Sequence, residues 1–312
     1  MSALPEVSVV MGVRDGAYSL RDTLESVLTQ TGVDLEFLIV DDGSTDGSDE
    51  ILAEAAARDQ RVIVMRQEEF GLTRALIAGC ARAKGRYIAR QDAGDVSLPG
   101  RLAAQKRILD ADHTIAMVSC GTRFYGPGGE ELFEVNQHTG DATEGLLRLD
   151  AHTIRGPSHH GSVIFRRADY ERVGGYRKEF YFAQDLDLWT RLVEGERRHE
   201  ATGMVMYQAT LAAGSISALR RSEQVRTAEL IVEAARSRRT GASEADALEK
   251  ASRIRPGREG AARSRKARTL YFVAMCLRKR GDERYRGYLR AAVRQNPLLL
   301  RGWVRLFSGK VA

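Results

Sequence analysis

The stretch FLIVDDGSTDGS, residues 37–48, changes abruptly from four apolar residues to a loop of acids, glycines and hydroxyl side chains. A short continuous apolar run is typical of a strand that is buried on both faces of a sheet. The residues that follow favour turns and helix N-caps, so the strand leads through a loop directly into a helix. The stretch therefore predicts a strand–loop–helix unit of an α/β sheet, with Asp41 and Asp42 at the carboxyl end of the strand.

The same alternation between strand-like apolar runs and segments of helical spacing continues on both sides of this stretch. Further short apolar runs, which read as strands, lie at residues 7–11, 62–65, 87–89 and 115–120, with segments of helical spacing between them. Strands and helices that alternate through short connections predict a mostly parallel sheet with helices on both faces. Ligands of such sheets bind outside the carboxyl ends of the strands. Asp92 and Asp95 follow a predicted strand, so we expect them at the same rim as Asp41 and Asp42.

Composition sets the broad class of the protein. The chain has 312 residues, of which 43% are hydrophobic and 29% are charged, and this is typical of a globular protein. Its three cysteines form no Cys-x-x-Cys pair, which argues against a disulfide framework or a zinc ribbon and favours a reducing compartment. The sequence shows neither a secretion signal nor an apolar window long enough to span a bilayer. We therefore expect a cytoplasmic protein that is soluble or at most peripheral at the inner face of the membrane.

Charge divides the chain into two parts. Residues 1–210 carry 24 basic and 33 acidic residues, a net charge of −9, whereas residues 211–312 carry 24 and 9, a net charge of +15. The basic part has helical spacing and includes a predicted helical hairpin that turns at Gly281. These features predict an α/β domain over residues 1–212 and a basic α-helical domain over residues 213–312.

Four blocks of sequence, in order along the chain, resemble family-2 glycosyltransferases. They are VSVVMGVRDGAYSLRDTLESVLTQT (residues 7–31), FLIVDDGSTDGS (37–48), GLTRALIAGCARAKGRYIARQDAGDVSLPGRL (71–102) and GGYRKEFYFAQDLDLWTRL (174–192). The resemblance covers roughly residues 5–210. It implies the GT-A fold, which is Rossmann-like, and an inverting transfer of sugar from a nucleotide-diphosphate donor, most often a uridine one.

The resemblance also implies a donor site. Asp42 would accept a hydrogen bond from a ring N–H of the base, and Asp41 would orient the loop or reach the ribose. Arg14 would stack on the base and Asp15 would contact it, while Arg90 would lie near the diphosphate. The competing interpretation is that the acids at 41–42 only cap the next helix and that Arg14 and Asp15 belong to a solvated turn.

A metal site is implied by the family's Asp-x-Asp motif. Asp92 occupies the first position, where it touches the ribose side of the donor or the metal. Gly94 stands at the third position, where a metal ligand is expected, and Asp95 is the nearest substitute. Mn²⁺ or Mg²⁺ would need only one or two protein carboxylates besides the phosphates. The alternatives are acids that merely cap the next helix, and a metal-free site in which arginines neutralise the diphosphate.

The family's catalytic base is the Asp of a Glu-Asp or Gln-Asp pair that precedes a helix. Gln184 and Asp185 match that pair, so the resemblance implies Asp185 as the general base for the acceptor hydroxyl. A simple N-cap of the helix is the competing role for Asp185, and the two roles are compatible.

Four further residues are candidates for the acceptor or phosphate region. His159 and His160 are adjacent and precede a strand, so at most one of them faces the cleft, where it could bind phosphate or help hold the metal. An ordinary surface pair is the alternative. Gly174 and Gly175 form a turn that lets the backbone approach the acceptor closely.

Partners and rival functions complete the prediction. The family implies a glycan or lipid-linked acceptor of surface polysaccharide biosynthesis. Residues 213–312 would either dock on an anionic membrane or pack as a helical domain with a solvated basic face, and they contain no nucleic-acid recognition motif. A non-catalytic nucleotide-sugar-binding or scaffolding protein of the same fold is the main rival. A dinucleotide-dependent oxidoreductase is disfavoured because no G-x-G-x-x-G follows the first strand.

Overall fold

A computed structural model describes residues 4–211, 221–255 and 262–307 of the chain. The strands are β1 (Val7–Val13), β2 (Leu35–Asp41), β3 (Val62–Arg66), β4 (Tyr87–Arg90), β5 (Val96–Ser97), β6 (Ile115–Tyr125), β7 (Glu131–Val135), β8 (Gly140–Asp141), β9 (Val163–Arg166) and β10 (Arg198–Thr210). The helices are α1 (Ala17–Leu28), α2 (Ser48–Arg58), α3 (Leu72–Arg82), α4 (Arg101–Ala111), α5 (Thr143–Leu147), α6 (Arg167–Arg172), α7 (Gln184–Leu192), α8 (Arg221–Arg239), α9 (Ala245–Ser252), α10 (Ala262–Lys279), α11 (Tyr285–Gln295) and α12 (Leu300–Phe307), with a 3-10 turn at His160–Ser162.

The chain divides into two compact units. The first comprises residues 1–122, 135–209 and 225–255, and the second comprises residues 123–134, 210–224 and 256–312. This partition differs in two places from the predicted boundary after residue 212. Leu230 and Ile231 of α8 are buried with Phe180 of the first unit, whereas Leu132 of the β6–β7 hairpin is buried among the last helices. The functional division into two domains stays a prediction.

The sheet of the first unit has a parallel half and an antiparallel half. Its strand order is β3-β2-β1-β4-β9-β6-β10-β5, with β8 paired to β10. β1 pairs in parallel with β2 and β4, and β2 with β3. β9 is antiparallel to β4 and β6, and β10 is antiparallel to β5. Every residue of β1 and β2 is buried, as expected for strands that are covered on both faces. The predicted α/β sheet flanked by helices is confirmed.

The second unit is built from helices and one hairpin. α10 and α11 form the predicted helical hairpin, and Gly281 provides its turn with a φ of +74°. Their apolar stripe is buried together with Leu132 of the β-hairpin. Within the described ranges, none of the helices combines the length and the apolar character that crossing a bilayer requires.

Candidate active site

The loops that follow β1, β2 and β4 meet at one rim of the sheet. The three strands are adjacent and parallel, so their carboxyl ends point the same way. The backbone continues this alignment beyond the strands, because Asp42 N donates to Val13 O (2.8 Å) and Gln91 N donates to Val10 O (3.2 Å). The acids after β2 and those after β4 therefore lie along the same edge, as the strand–helix alternation predicted.

A cluster of two carboxylates and one imidazole lies at the end of β4. Oxygen atoms of Asp92 and Asp95 and a ring nitrogen of His159 all lie within 4.8 Å of one another. The Nδ1 atom of His159 is 3.7 Å from Asp92 Oδ2 and 3.6 Å from Asp95 Oδ2. Nδ1 accepts a hydrogen bond from Gly161 N (3.1 Å), so the proton of the neutral ring is on Nε2 and the lone pair of Nδ1 is shared with that N–H. Three electron-rich atoms that face one another fit a divalent cation such as Mn²⁺ or Mg²⁺.

Gly94 explains how Asp95 comes to lie in this cluster. Its φ is +93°, a region that residues with a side chain rarely adopt, and a Cβ here would lie 3.1 Å from Ser19 Oγ. The turn is fixed by Thr23, whose Oγ1 accepts from Gly94 N (3.0 Å) and donates to Asp95 O (2.9 Å). Gly94 thus occupies the expected ligand position because the backbone turns there. The side chain of the next residue, Asp95, lies beside Asp92 instead.

Arg90 is fully buried beneath the cluster and supports Asp92. Its guanidinium donates to Asp92 Oδ1 (2.7 Å), to His160 Nε2 (3.2 Å) and to Val10 O. Burial opposes ionisation of the Asp92 carboxyl, but the charges around it, of which Arg90 has the largest effect, together hold the pKa of Asp92 below its usual value. Arg90 therefore helps to keep Asp92 ionised. Its contact with a donor diphosphate stays a prediction.

Asp185 is the second residue of α7, and its side chain is only partly exposed. The carboxylate Oδ1 accepts from Leu186 N (2.9 Å), and the N-cap position is held by Ala183 and not by Asp185. Burial, reinforced by the negative charge of Asp92, raises the pKa of Asp185 to about 6. A carboxylate of that basicity, ionised at neutral pH and close to a second acid, is suited to accept a proton. Gln184 is buried in the same first turn.

The two adjacent histidines have different surroundings. His159 faces the carboxylates, whereas His160 Nε2 lies 2.8 Å from the Tyr176 hydroxyl and its ring meets that of Trp189 edge to face. Burial lowers the pKa of His159, and it lowers the pKa of His160 to about 3, so both rings are neutral at pH 7. His159 alone of the two is placed to bind a cation together with Asp92 and Asp95.

Gly174 and Gly175 form a tight turn between α6 and α7. Both have positive φ values, +77° and +69°. A Cβ on Gly175 would lie 2.6 Å from the ring of Tyr170, and Gly175 O accepts from Arg191 (2.8 Å). These contacts give the turn a structural role, and an approach to the acceptor stays a prediction.

Asp42, directly after β2, is engaged by the protein itself. Its carboxylate is 4% exposed and accepts from Gln67 Nε2 (2.6 Å), Phe70 N (2.9 Å) and Gly71 N (2.9 Å). A carboxylate with three N–H donors fixes the loop at residues 67–71. The predicted contact with a base ring would be added to these bonds.

Asp41 and Asp15 bond to the loop after β2, whereas Arg14 contacts the loop at residues 67–71. Asp41 Oδ1 accepts from Ser44 N (3.0 Å), and Asp41 Oδ2 accepts no hydrogen bond among the described residues. Arg14 is paired with Glu69, and Asp15 accepts from a backbone N–H of the loop after β2 (2.9 Å). The side chains of Arg14 and Asp15 are 42% and 46% exposed, so a ligand could reach both of them.

Tyr207 belongs to the site although its sequence context gives no sign of it. Its hydroxyl accepts from Asp92 N (3.0 Å), and its ring stacks on His159 at 5.5 Å between centroids. A Cβ at Gly161 would lie 1.9 Å from the Tyr207 hydroxyl, so a glycine is required there. Only the tertiary position of β10 brings Tyr207, 115 residues away in sequence, to the cluster.

Comparison with known sequences gives a consistent family. Residues 8–173 match the sequence model described as Glycosyl transferase family 2, which is just over half of the chain. Over 201 residues the chain is 30% identical to EpsE of Bacillus subtilis (strain 168), which is named as a glycosyltransferase, and the match covers 62% of this chain and 69% of that protein.

Solved structures resemble the chain in fold. S. aureus TarS 1-349 in complex with UDP superposes with a TM-score of 0.54 and 14% identity over 96% of this chain and 91% of that chain. GalNAc-T7 with UDP, GalNAc and Mn²⁺ superposes with a TM-score of 0.55 and 15% identity over 74% of this chain and 48% of that chain. At these identities the likeness is one of fold, and it confirms the predicted GT-A architecture.

Proposed function

Because the chain belongs to glycosyl transferase family 2, we propose that it is an inverting transferase that moves a sugar from a uridine-diphosphate donor to a hydroxyl group. The acceptor would be a glycan or a lipid-linked glycan of surface polysaccharide biosynthesis. The observation that supports this proposal best is the pairing of a cation-binding cluster, Asp92, Asp95 and His159, with a separate carboxylate of raised pKa, Asp185.

Asp185 would carry the proton transfer of this reaction. Its carboxylate takes the proton of the acceptor hydroxyl while the acceptor oxygen bonds to the anomeric carbon of the sugar. The bond between that carbon and the diphosphate oxygen breaks at the same time, on the opposite face. The products are the glycoside, the nucleoside diphosphate and a protonated Asp185, and one displacement inverts the anomeric centre.

Asp92, Asp95 and His159 would hold the divalent cation. When bound, such a cation neutralises the charge that gathers on a departing diphosphate. Arg90 helps to keep Asp92 ionised for this role, and burial keeps His159 neutral so that its nitrogen can act as a ligand.

The nucleotide is the part of the proposal that rests on similar proteins. The two solved structures above are described with UDP, and one of them with Mn²⁺. In this chain the nucleoside would be surrounded by Asp42, Asp41, Arg14 and Asp15. Asp92 would lie on its ribose side.

A donor screen tests the function directly. The full chain would be incubated with UDP-glucose, UDP-galactose, UDP-N-acetylglucosamine, UDP-N-acetylgalactosamine and GDP-mannose, and release of nucleoside diphosphate would be measured with and without excess chelator. We expect turnover of a UDP-sugar that chelator suppresses and manganese restores, and no restoration by manganese in Asp95→Ala. Binding of UDP-sugars without any turnover would favour the rival function, a non-catalytic binding protein.

We also propose that the last helix docks on an anionic membrane surface, which would place the protein at the inner face of the cell membrane. Leu298, Leu300 and Val304 are 85%, 74% and 63% exposed, and Arg301 and Arg305 are exposed among them. Apolar side chains next to arginines, on one short helix and just before it, are suited to the boundary between lipid headgroups and acyl chains.

Vesicle sedimentation tests the membrane proposal. The full chain should bind phosphatidylserine-containing vesicles more tightly than pure phosphatidylcholine vesicles, and Leu300→Ser/Val304→Ser should lose most of that binding. Leu4→Ser, at a leucine that is 71% exposed in the first unit, is the matched control and should bind like the wild type. Equal binding of the wild type, the double variant and the control variant to phosphatidylserine-containing vesicles would refute the membrane proposal.

A further inference from the structure

The loop that leads into Asp185 is held in an unusual conformation. Phe180 and Phe182 are 0% and 2% exposed, and Ala183 has a φ of +51°, in the left-handed region that residues other than glycine rarely adopt. A backbone of this kind persists only where the surrounding structure holds it. The position of Asp185 therefore depends on what packs against residues 180–183.

Helices α8 and α9 supply that packing. The buried residues that cluster with Phe180 and Phe182 come from these two helices and the turn after them: Leu230, Ile231, Ala251 and Ile254. These residues lie beyond the segment 8–173 that matches the family model. The support for the loop is thus built from a part of the chain outside that match.

A network of four charged residues ties the same helices to both ends of α7. Arg177, which precedes α7, donates to both carboxylate oxygens of Glu244 (2.6 and 3.2 Å). Glu244 also accepts from Arg238 of α8 (2.6 Å), and Arg238 donates to Glu194, just after the end of α7 (2.6 Å). All four side chains are at most 25% exposed, and Arg177 also lies 3.8 Å from Oδ1 of Asp187 in α7, a carboxylate that is paired with Arg191. Charge-assisted bonds that are shielded from water in this way are the strong ones.

We propose that Glu244 is a positioning residue for the transfer reaction, because it anchors the loop that presents Asp185 to the acceptor. This inference rests on the proposed function. Glu244 touches neither the carboxylate cluster nor the donor loops, and it acts through Arg177 and Arg238. Loss of the anchor should therefore affect the proton-transfer step and leave donor binding intact.

Hydrogen exchange of the full chain tests the anchor without any substrate. Amides of residues 177–187 should exchange about tenfold faster in Glu244→Gln and in Arg177→Gln than in the wild type. Arg177→Lys, which keeps the charge, should show most of the wild-type protection. The matched control is Glu249→Gln, since Glu249 of the same helix region pairs with the exposed Arg253. Unchanged protection in both glutamine variants would overturn the proposal.

Kinetics with the donor found in the screen tests the link to Asp185. Glu244→Gln should lower kcat about tenfold, with the donor KM within about twofold, and Arg177→Lys should keep most of kcat. A wild-type kcat in Glu244→Gln would overturn the positioning role, and so would an equal loss of donor affinity, which would indicate a general structural effect. A wild-type chain that turns over no nucleotide sugar would instead refute the proposed function, while the exchange experiment would still decide whether the anchor exists.

Discussion

The rim has two ends that use their carboxylates in opposite ways. The donor end is the region of Asp42, where the donor is proposed to bind, and the reaction end is the region of Asp92 and Asp95. At the donor end, Asp42 is satisfied by three N–H donors of the protein and fixes a loop. At the reaction end, Asp92 and Asp95 face each other and an electron-rich histidine nitrogen. A buried carboxylate needs a positive or N–H partner, and the donor end provides it internally. At the reaction end Arg90 supplies a positive charge to Asp92, and in the proposal a divalent cation adds to it.

The largest expected effect concerns the base. Asp185→Asn keeps the size of the side chain but cannot take a proton, so sugar transfer should fall by about 100- to 10,000-fold while UDP affinity stays within a few-fold. Glu196→Gln, at an exposed acid after α7, is the control and should transfer normally. Near wild-type transfer by Asp185→Asn would mean that another residue is the base.

A smaller effect is expected at the donor end. Asp42→Ala removes the carboxylate that holds residues 67–71 and, in the proposal, contacts the base, so UDP binding should weaken by about 1.5–3 kcal/mol. Calorimetry with UDP and a thermal melt of the same variant separate the two roles. An unchanged UDP affinity together with a lowered melting temperature would mean that Asp42 only holds the loop at residues 67–71 and does not contact the base.

The smallest effect is on stability and follows from the raised pKa of Asp185. Since the folded state disfavours the ionised carboxylate, Asp185 destabilises the fold increasingly as the pH rises from about 4 to above 6. Asp185→Asn should therefore melt a few degrees higher than the wild type at pH 7.5 and at nearly the same temperature at pH 4. A variant that melts lower than the wild type at pH 7.5 would contradict the raised pKa.

Much of the parallel half of the sheet could be predicted from sequence because its signals are local. The run at residues 37–40 and the loop after it predict β2, the turn and α2 without reference to the rest of the chain. The shared rim of Asp42 and Asp92 follows from parallel pairing alone. The family resemblance added the candidate roles of Asp95 and Asp185.

Contacts that depend on distant parts of the chain could not be predicted in the same way. Tyr207 reaches Asp92 only because β10 lies in the antiparallel half, and no spacing in the sequence encodes that pairing. The charge count predicted that residues 213–312 form one basic part, yet Glu244 and Arg238 pair with residues around α7. Net charge records the sum over a segment and carries no information about which residues meet.

The most direct test of the contrast between the two ends is a manganese titration of the full chain with UDP, in which electron paramagnetic resonance measures free Mn²⁺. The proteins compared are the wild type, Asp95→Asn/His159→Gln and, as a control on the donor side, Asp49→Asn, at a partly exposed acid of α2 that pairs with Arg66. We expect one Mn²⁺ per chain in the wild type and in Asp49→Asn, and an affinity at least about tenfold weaker in the double variant. Wild-type affinity in the double variant, or no Mn²⁺ bound by the wild type, would contradict the account.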